Sequence, residues 1–169
     1  PFERANALLL KSNALKAVSP PRQEEAGQCI REAVAITEHE RPRSSMDAEI
    51  YPHALIHLGE HLCHAEQDFE GAIDALTTVL DIYDTRYKFG ELPDRFVAAR
   101  ILSQIGSAYC GIDQRTGGAE QKAQCLWFCN QSISVYRKAL EEHIRFRPAS
   151  AEPIFLSAAS VYHYYKEYD

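Results

Sequence analysis

No run in these 169 residues approaches the roughly 20 consecutive apolar side chains that a helix needs to cross a bilayer. The N-terminal stretch also lacks the long apolar core of a secretory leader. Basic residues are outnumbered, 18 to 24, and the resulting net charge of -6 disfavours a sequence-independent grip on phosphates. Neither a membrane nor nucleic acid is therefore an expected partner. The five cysteines (Cys29, Cys63, Cys110, Cys125 and Cys129) are odd in number and show no CxxC spacing. A disulfide framework is not expected of them, and a reducing, cytoplasmic compartment is. Sustained apolar-polar alternation is missing too, so no sheet is expected. Gly117-Gly118 follows no strand and has no lysine placed for a phosphate loop, which leaves it a turn.

What is present is an apolar content of 46%, enough to fold, arranged in a pattern that recurs. Leu55-Ile56-His57-Leu58-Gly59-Glu60-His61-Leu62 lies over Leu102-Ser103-Gln104-Ile105-Gly106-Ser107-Ala108-Tyr109 at an offset of 47 residues, and Phe155 with Ala158-Ala159 and Tyr162 follows 53 residues later. A second motif recurs between these. Ala26, Ile30, Ala33 and Ile36 align with Ala72, Leu76, Val79 and Ile82, and with Cys125, Cys129, Ser132 and Val135. Spacings of four, three and three are the stripe of an amphipathic helix. The small residue heading each set, Ala26, Ala72 or Cys125, suits a close helix crossing, where a bulky side chain would push the backbones apart.

Leu58-Gly59 followed by a large residue, then Asp68-Phe69-Glu70-x-Ala72, resembles the tetratricopeptide (TPR) repeat. Lys166-Glu167-Tyr168 is similar to the turn that opens a second TPR helix. The offsets exceed the usual repeat of about 34 residues, and the long second helices resemble the kinesin-light-chain variety. The resemblance implies an all-α fold, an αα-superhelix or TPR-like solenoid of about three and a half helical pairs. It also implies a concave groove, lined by the first helices, that receives a peptide or helix of a partner protein. The whole chain, 1–169, is then expected to be one repeat domain and a piece of a longer array.

The pairs are expected over about 2–40, 47–88 and 93–146, with a lone first helix over 151–165. Phe2 to Val18 forms the first helix on Ala5, Leu8, Leu9, Ser12 and Leu15, in a repeat phase the sequence leaves open. Ser19-Pro20-Pro21 ends it. Pro52 either opens a helix in its first turn or lies within a longer one. Gly111 through Gly118 is expected to be an insertion separating the two helices of the third pair.

Several constellations invite chemistry. His57-Leu58-Gly59-Glu60-His61 matches the H-x-x-E-H pattern of inverted zinc proteases, but the repeat itself accounts for Leu58 and Gly59, and an all-helical chain lacks those enzymes' mixed α/β scaffold. No catalytic residue, no metal ligand and no cofactor is therefore assigned. An alternative reading keeps a histidine stripe, His53, His57, His61 and His64, as a zinc or copper module or a pH sensor. A further one makes the repeats the regulatory arm of a larger enzyme. Cys125 and Cys129, one turn apart, read as small core residues. The aromatic crowd Tyr162, Tyr164, Tyr165 and Tyr168, with Trp127, Phe128 and Tyr136, could offer anchors to a ligand, though most of these read as packing. The principal expectation is a scaffold or adaptor, not an enzyme. Its partner-binding residues are His53, His57, Glu60, His64, Arg100, Gln104, His163 and Tyr164. Self-association through Phe155 and Tyr162 is the rival interaction.

Overall fold

Every described element is a helix. The structure, a computed structural model, describes residues 1–86 and 95–142. The helices are α1 (Phe2–Ala17), α2 (Gln23–Glu38), α3 (Ser45–His61) with a π turn at Leu62–Glu66, α4 (Phe69–Arg86), α5 (Arg95–Thr116) and α6 (Ala119–Glu142). The expected lone helix over 151–165 lies outside the described residues, as do His163 and Tyr164.

The chain divides into two compact units, Pro1–Val79 and Leu80–Asp169. The division falls inside α4 and not in a linker.

In the first unit α1 packs on α2, and both pack on α3. The buried side of α1 is Phe2, Ala5, Leu9, Ser12 and Leu15, with spacings of three and four that keep one stripe of a 3.6-residue helix inward. It meets Ile30 and Ala33 of α2 and Ala54 of α3 in one apolar cluster. A second cluster joins Leu15 to Ala26 and Cys29.

Side-chain capping groups start α3 and α4. Ser44 accepts the Asp47 N–H at 3.1 Å, satisfying an orphan donor of the first turn, while the Asp47 carboxylate accepts the Arg43 N–H just before the cap at 3.0 Å, and α3 begins at Ser45. Pro52 thus lies within α3 and is fully buried there. Asp68 accepts the Gly71 N–H at 3.0 Å and opens α4. This gives the Asp68-Phe69-Glu70-x-Ala72 motif a physical cause.

In the second unit α5 packs on α6. The insertion expected over Gly111–Gly118 is not a loop: α5 runs unbroken to Thr116, with Gly111 and Asp113 buried, and only Gly117-Gly118 turns the chain. Packing overrides the helix cost of one glycine, about 1 kcal/mol. Gly117 takes φ +66, a left-handed conformation that favours glycine, and its N–H closes on the Asp113 carbonyl at 2.7 Å.

The two units share a detail of packing. A Cβ on Gly59 would lie 2.6 Å from Leu76 Cγ, and one on Gly106 would lie 2.8 Å from Cys129 Sγ. Leu76 and Cys129 occupy equivalent places in the repeat. Burial of Ser12 and Leu15 also fixes the phase of α1: Leu8, Ser12 and Leu15 precede Leu55, Gly59 and Leu62 by 47 residues, and these precede Leu102, Gly106 and Tyr109 by 47. Ser12 is the small residue of the first set. Its hydroxyl, fully buried, donates to the Leu9 carbonyl at 2.8 Å.

The close approach yields a sign prediction. Glycine to alanine inside a helix ordinarily gains about 1 kcal/mol, whereas overpacking a filled core costs about 1 to 3 kcal/mol. Because Leu76 is fully buried, the overpacking cost prevails. Gly59→Ala is expected to lower the urea midpoint, and a raised midpoint would contradict the close crossing.

Candidate functional site

In the first unit the candidate residues lie on α3 and its π turn. His53 and His64 are exposed, and His57 and Glu60 are half-buried, with His57 Nδ1 3.7 Å from Glu60 Oε2. Ile56 and Cys63, expected on the same face, are buried. In the second unit Arg100 is exposed and Gln104 half-buried on α5, while Ser103 and Cys110 are inside. The described partner-contact candidates are thus at least partly accessible, and each unit presents its own set.

The histidine ladder divides. Each step of four residues advances about 40° around a helix, so two steps carry the side chain about 80° from its start. His53 therefore faces water while His61 is buried, its side chain 2% exposed. The π turn then re-phases the chain, and His64 is exposed again. His57 and His61, the two histidines of the H-x-x-E-H pattern, turn to different carboxylates, Glu60 and Glu66. Among the described residues no grouping of three or more His, Cys, Asp or Glu side chains could hold a metal ion.

His61 belongs to a built arrangement that the sequence does not announce. Its ring lies on the backbone of α2, where a Cβ on Gly27 would come 2.3 Å from Nε2. Nε2 is 2.9 Å from Glu66 Oε1. Arg31 Nη2 donates to both Glu66 oxygens, at 2.6 and 2.5 Å. The π turn makes this possible. It ends with the N–H groups of Gln67 and Asp68 both on the Leu62 carbonyl, with Gln67 at φ 56. The extra residue in the turn brings Glu66 back over the end of α3. Arg31's hydrogen bonds hold the Glu66 carboxyl below its ordinary value, outweighing partial burial. Burial pushes His61 below its ordinary 6.5 in spite of Glu66. Arg31 and Glu66 are 35 residues apart, so no local spacing could have paired them.

The second unit holds three thiols at the α5–α6 contact, Cys110, Cys125 and Cys129, all buried. A hydrogen bond with Cys125 holds the Cys129 thiol below its ordinary value, against burial and Cys110. Beside them Tyr109 stacks on Phe128 with centroids 5.5 Å apart, and Trp127 meets Phe128 edge-on at 4.7 Å. Trp127 is 53% exposed and borders an open hollow of about 330 Å³ with Ala123 and Gln124.

Comparison of the chain with protein-family models, with curated proteins and with solved structures finds no match. Among the described residues no helix is long and apolar enough to cross a membrane.

Burial limits access to the thiols, since all five cysteines are inside, and it also raises the Cys63 thiol above its ordinary value. A disulfide reagent should modify the native chain on the order of a hundredfold more slowly than the denatured one, through opening reactions alone. Five thiols should count in denaturant. Instant native modification of two or more would contradict the packing described.

Proposed function

We propose that this chain is a protein-interaction scaffold of TPR-like helical pairs, holding a peptide or helix of a partner against the first-helix face of each pair. The observation that carries the reading is the recurrence of one first-helix pattern at 47-residue intervals, with Ser12, Gly59 and Gly106 in its small position, and of the same close approach at Gly59 and Gly106. A recurrent pair spends its apolar stripe on its neighbours and leaves a row of rigidly held polar side chains outward, which suits recognition better than catalysis.

On α3 that row is His53, His57 and Glu60, continued by His64, and on α5 it is Arg100 and Gln104. The α3 row of the first unit offers histidine and carboxylate hydrogen-bonding groups, suited to a polar peptide segment. Arg100 is the group suited to an acidic one. Trp127 adds an aromatic anchor on α6, of the kind enriched where partners dock. The proposal includes no cofactor and no catalytic residue, and it places the chain in a reducing compartment, in keeping with five scattered thiols.

The test is selection from a random peptide library on the immobilised full chain, followed by calorimetry of the enriched peptides. Arg100→Ala and the double change His57→Ala, Glu60→Ala should each weaken binding by about tenfold, equivalent to about 1.4 kcal/mol. Helix content measured by circular dichroism should stay unchanged. A library that enriches nothing beyond an unrelated helical protein, or peptides indifferent to both changes, would remove the proposal.

A further inference from the structure

Glu66, held ionised by Arg31, can only accept hydrogen bonds. At 2.9 Å from Glu66 Oε1, His61 Nε2 must therefore carry the proton of the neutral ring. The Nδ1 atom is then a bare lone pair, buried and without a hydrogen-bond partner among the described residues. Any second proton must go there. It would create a charged N–H donor with no acceptor, inside a site where the α2 backbone at Gly27 already touches the ring.

The charged groups around His61 come from each element packed against it. Glu66 of the π turn favours the imidazolium, whereas Arg31 of α2 and Lys16 of α1 oppose it. Glu66 is also shared, because its Oε1 already accepts from Arg31 at 2.6 Å. One partly committed carboxylate facing two cations does not offset the loss of water around the ring, and desolvation is the largest influence on this histidine.

We propose that His61 is a proton-operated latch on the α3–α4 junction: with Nδ1 bare the π turn is held against α2 through Glu66 and Arg31, and protonation at Nδ1 releases it. Release needs no new oxidant, metal or ligand. The imidazolium leaves the Gly27 contact to reach water, and the turn opens about Gln67, whose left-handed backbone marks the joint. The release lies within the first unit and is independent of what the chain binds.

The direction with pH follows from linkage. A histidine whose folded value lies below its ordinary 6.5 takes its proton in the open form first. The closed latch is at full strength above about pH 6.5 and weakens as pH falls below it, until the folded value is reached, after which no further loss accrues. Glu66 titrates from the ordinary carboxylate value of 4.5 downward, so it does not intrude on the upper part of this window.

Hydrogen exchange at the Gln67 and Asp68 amides, both bonded to the Leu62 carbonyl, reads the latch directly. Corrected for intrinsic exchange, protection in the full chain should be flat from pH 7.5 to about 6.5 and then fall by up to tenfold per pH unit, the limit for one proton. His61→Gln keeps an amide donor toward Glu66 and cannot titrate, so its protection should stay level over the same range. Imidazole nitrogen NMR of the unaltered chain gives a second readout that survives a variant that fails to fold. It should show the Nε2–H tautomer and a midpoint below 6.5. Constant protection in the unaltered chain, an equal fall in His61→Gln, or a His61 that titrates at or above 6.5 would each overturn the latch.

Discussion

Two backbones can approach only as closely as the side chains between them allow, and in both units a missing Cβ sets that distance. At Gly59 the space a methyl would occupy belongs to Leu76, and at Gly106 it belongs to Cys129. The rest of each pair follows from this approach. Ala72 and Cys125, one turn before these contact residues, are fully buried, as are Val79 and Ser132 one turn after or just within reach of it. The hydroxyl of Ser132 reaches across to the Ala99 carbonyl at 2.6 Å, a buried bond that only closely nested helices can make. Small residues therefore do two things. They admit the neighbouring helix, and they convert a generic amphipathic stripe into a specific register.

The pattern of small and large residues was legible in the sequence because it is local and periodic. Ala26, Ala72 and Cys125 can be picked out by spacing alone, and all three are fully buried. Three features resisted for physical reasons. The phase of α1 depends on which of Leu8, Leu9, Ser12 and Leu15 turn inward, which its contacts with α2 decide. The continuity of α5 through Gly111 depends on burial, which outweighs propensity. The start of α3 depends on the Ser44 hydroxyl accepting the Asp47 N–H and the Asp47 carboxylate accepting the Arg43 N–H, which place Pro52 inside the helix instead of at its head.

The candidate face was partly legible. His53 and Arg100 are exposed and His57, Glu60 and Gln104 half-buried. What sequence spacing could not resolve is the fate of His61. A regular ladder of histidines looks like one face, yet the helical advance turns the third rung inward and the π turn takes the fourth out again. The same histidine, turned away from the exposed rungs, is a buried polar group held by Gly27, Glu66 and, through Glu66, Arg31. Exposed polar side chains and a buried polar arrangement thus arise on neighbouring turns of one helix.

The central claim is that absent side-chain volume at the repeat's small position lets the paired helices nest. It is tested most directly by a double-mutant cycle between Gly59 and Leu76, measured by chemical denaturation. Removing the Leu76 side chain opens the space that a methyl on residue 59 would need. The account predicts that Gly59→Ala costs at least 1 kcal/mol less, on the scale of about 0.5 to 3 kcal/mol for touching residues, when Leu76→Ala is already present. Strictly additive effects of the two changes would contradict it.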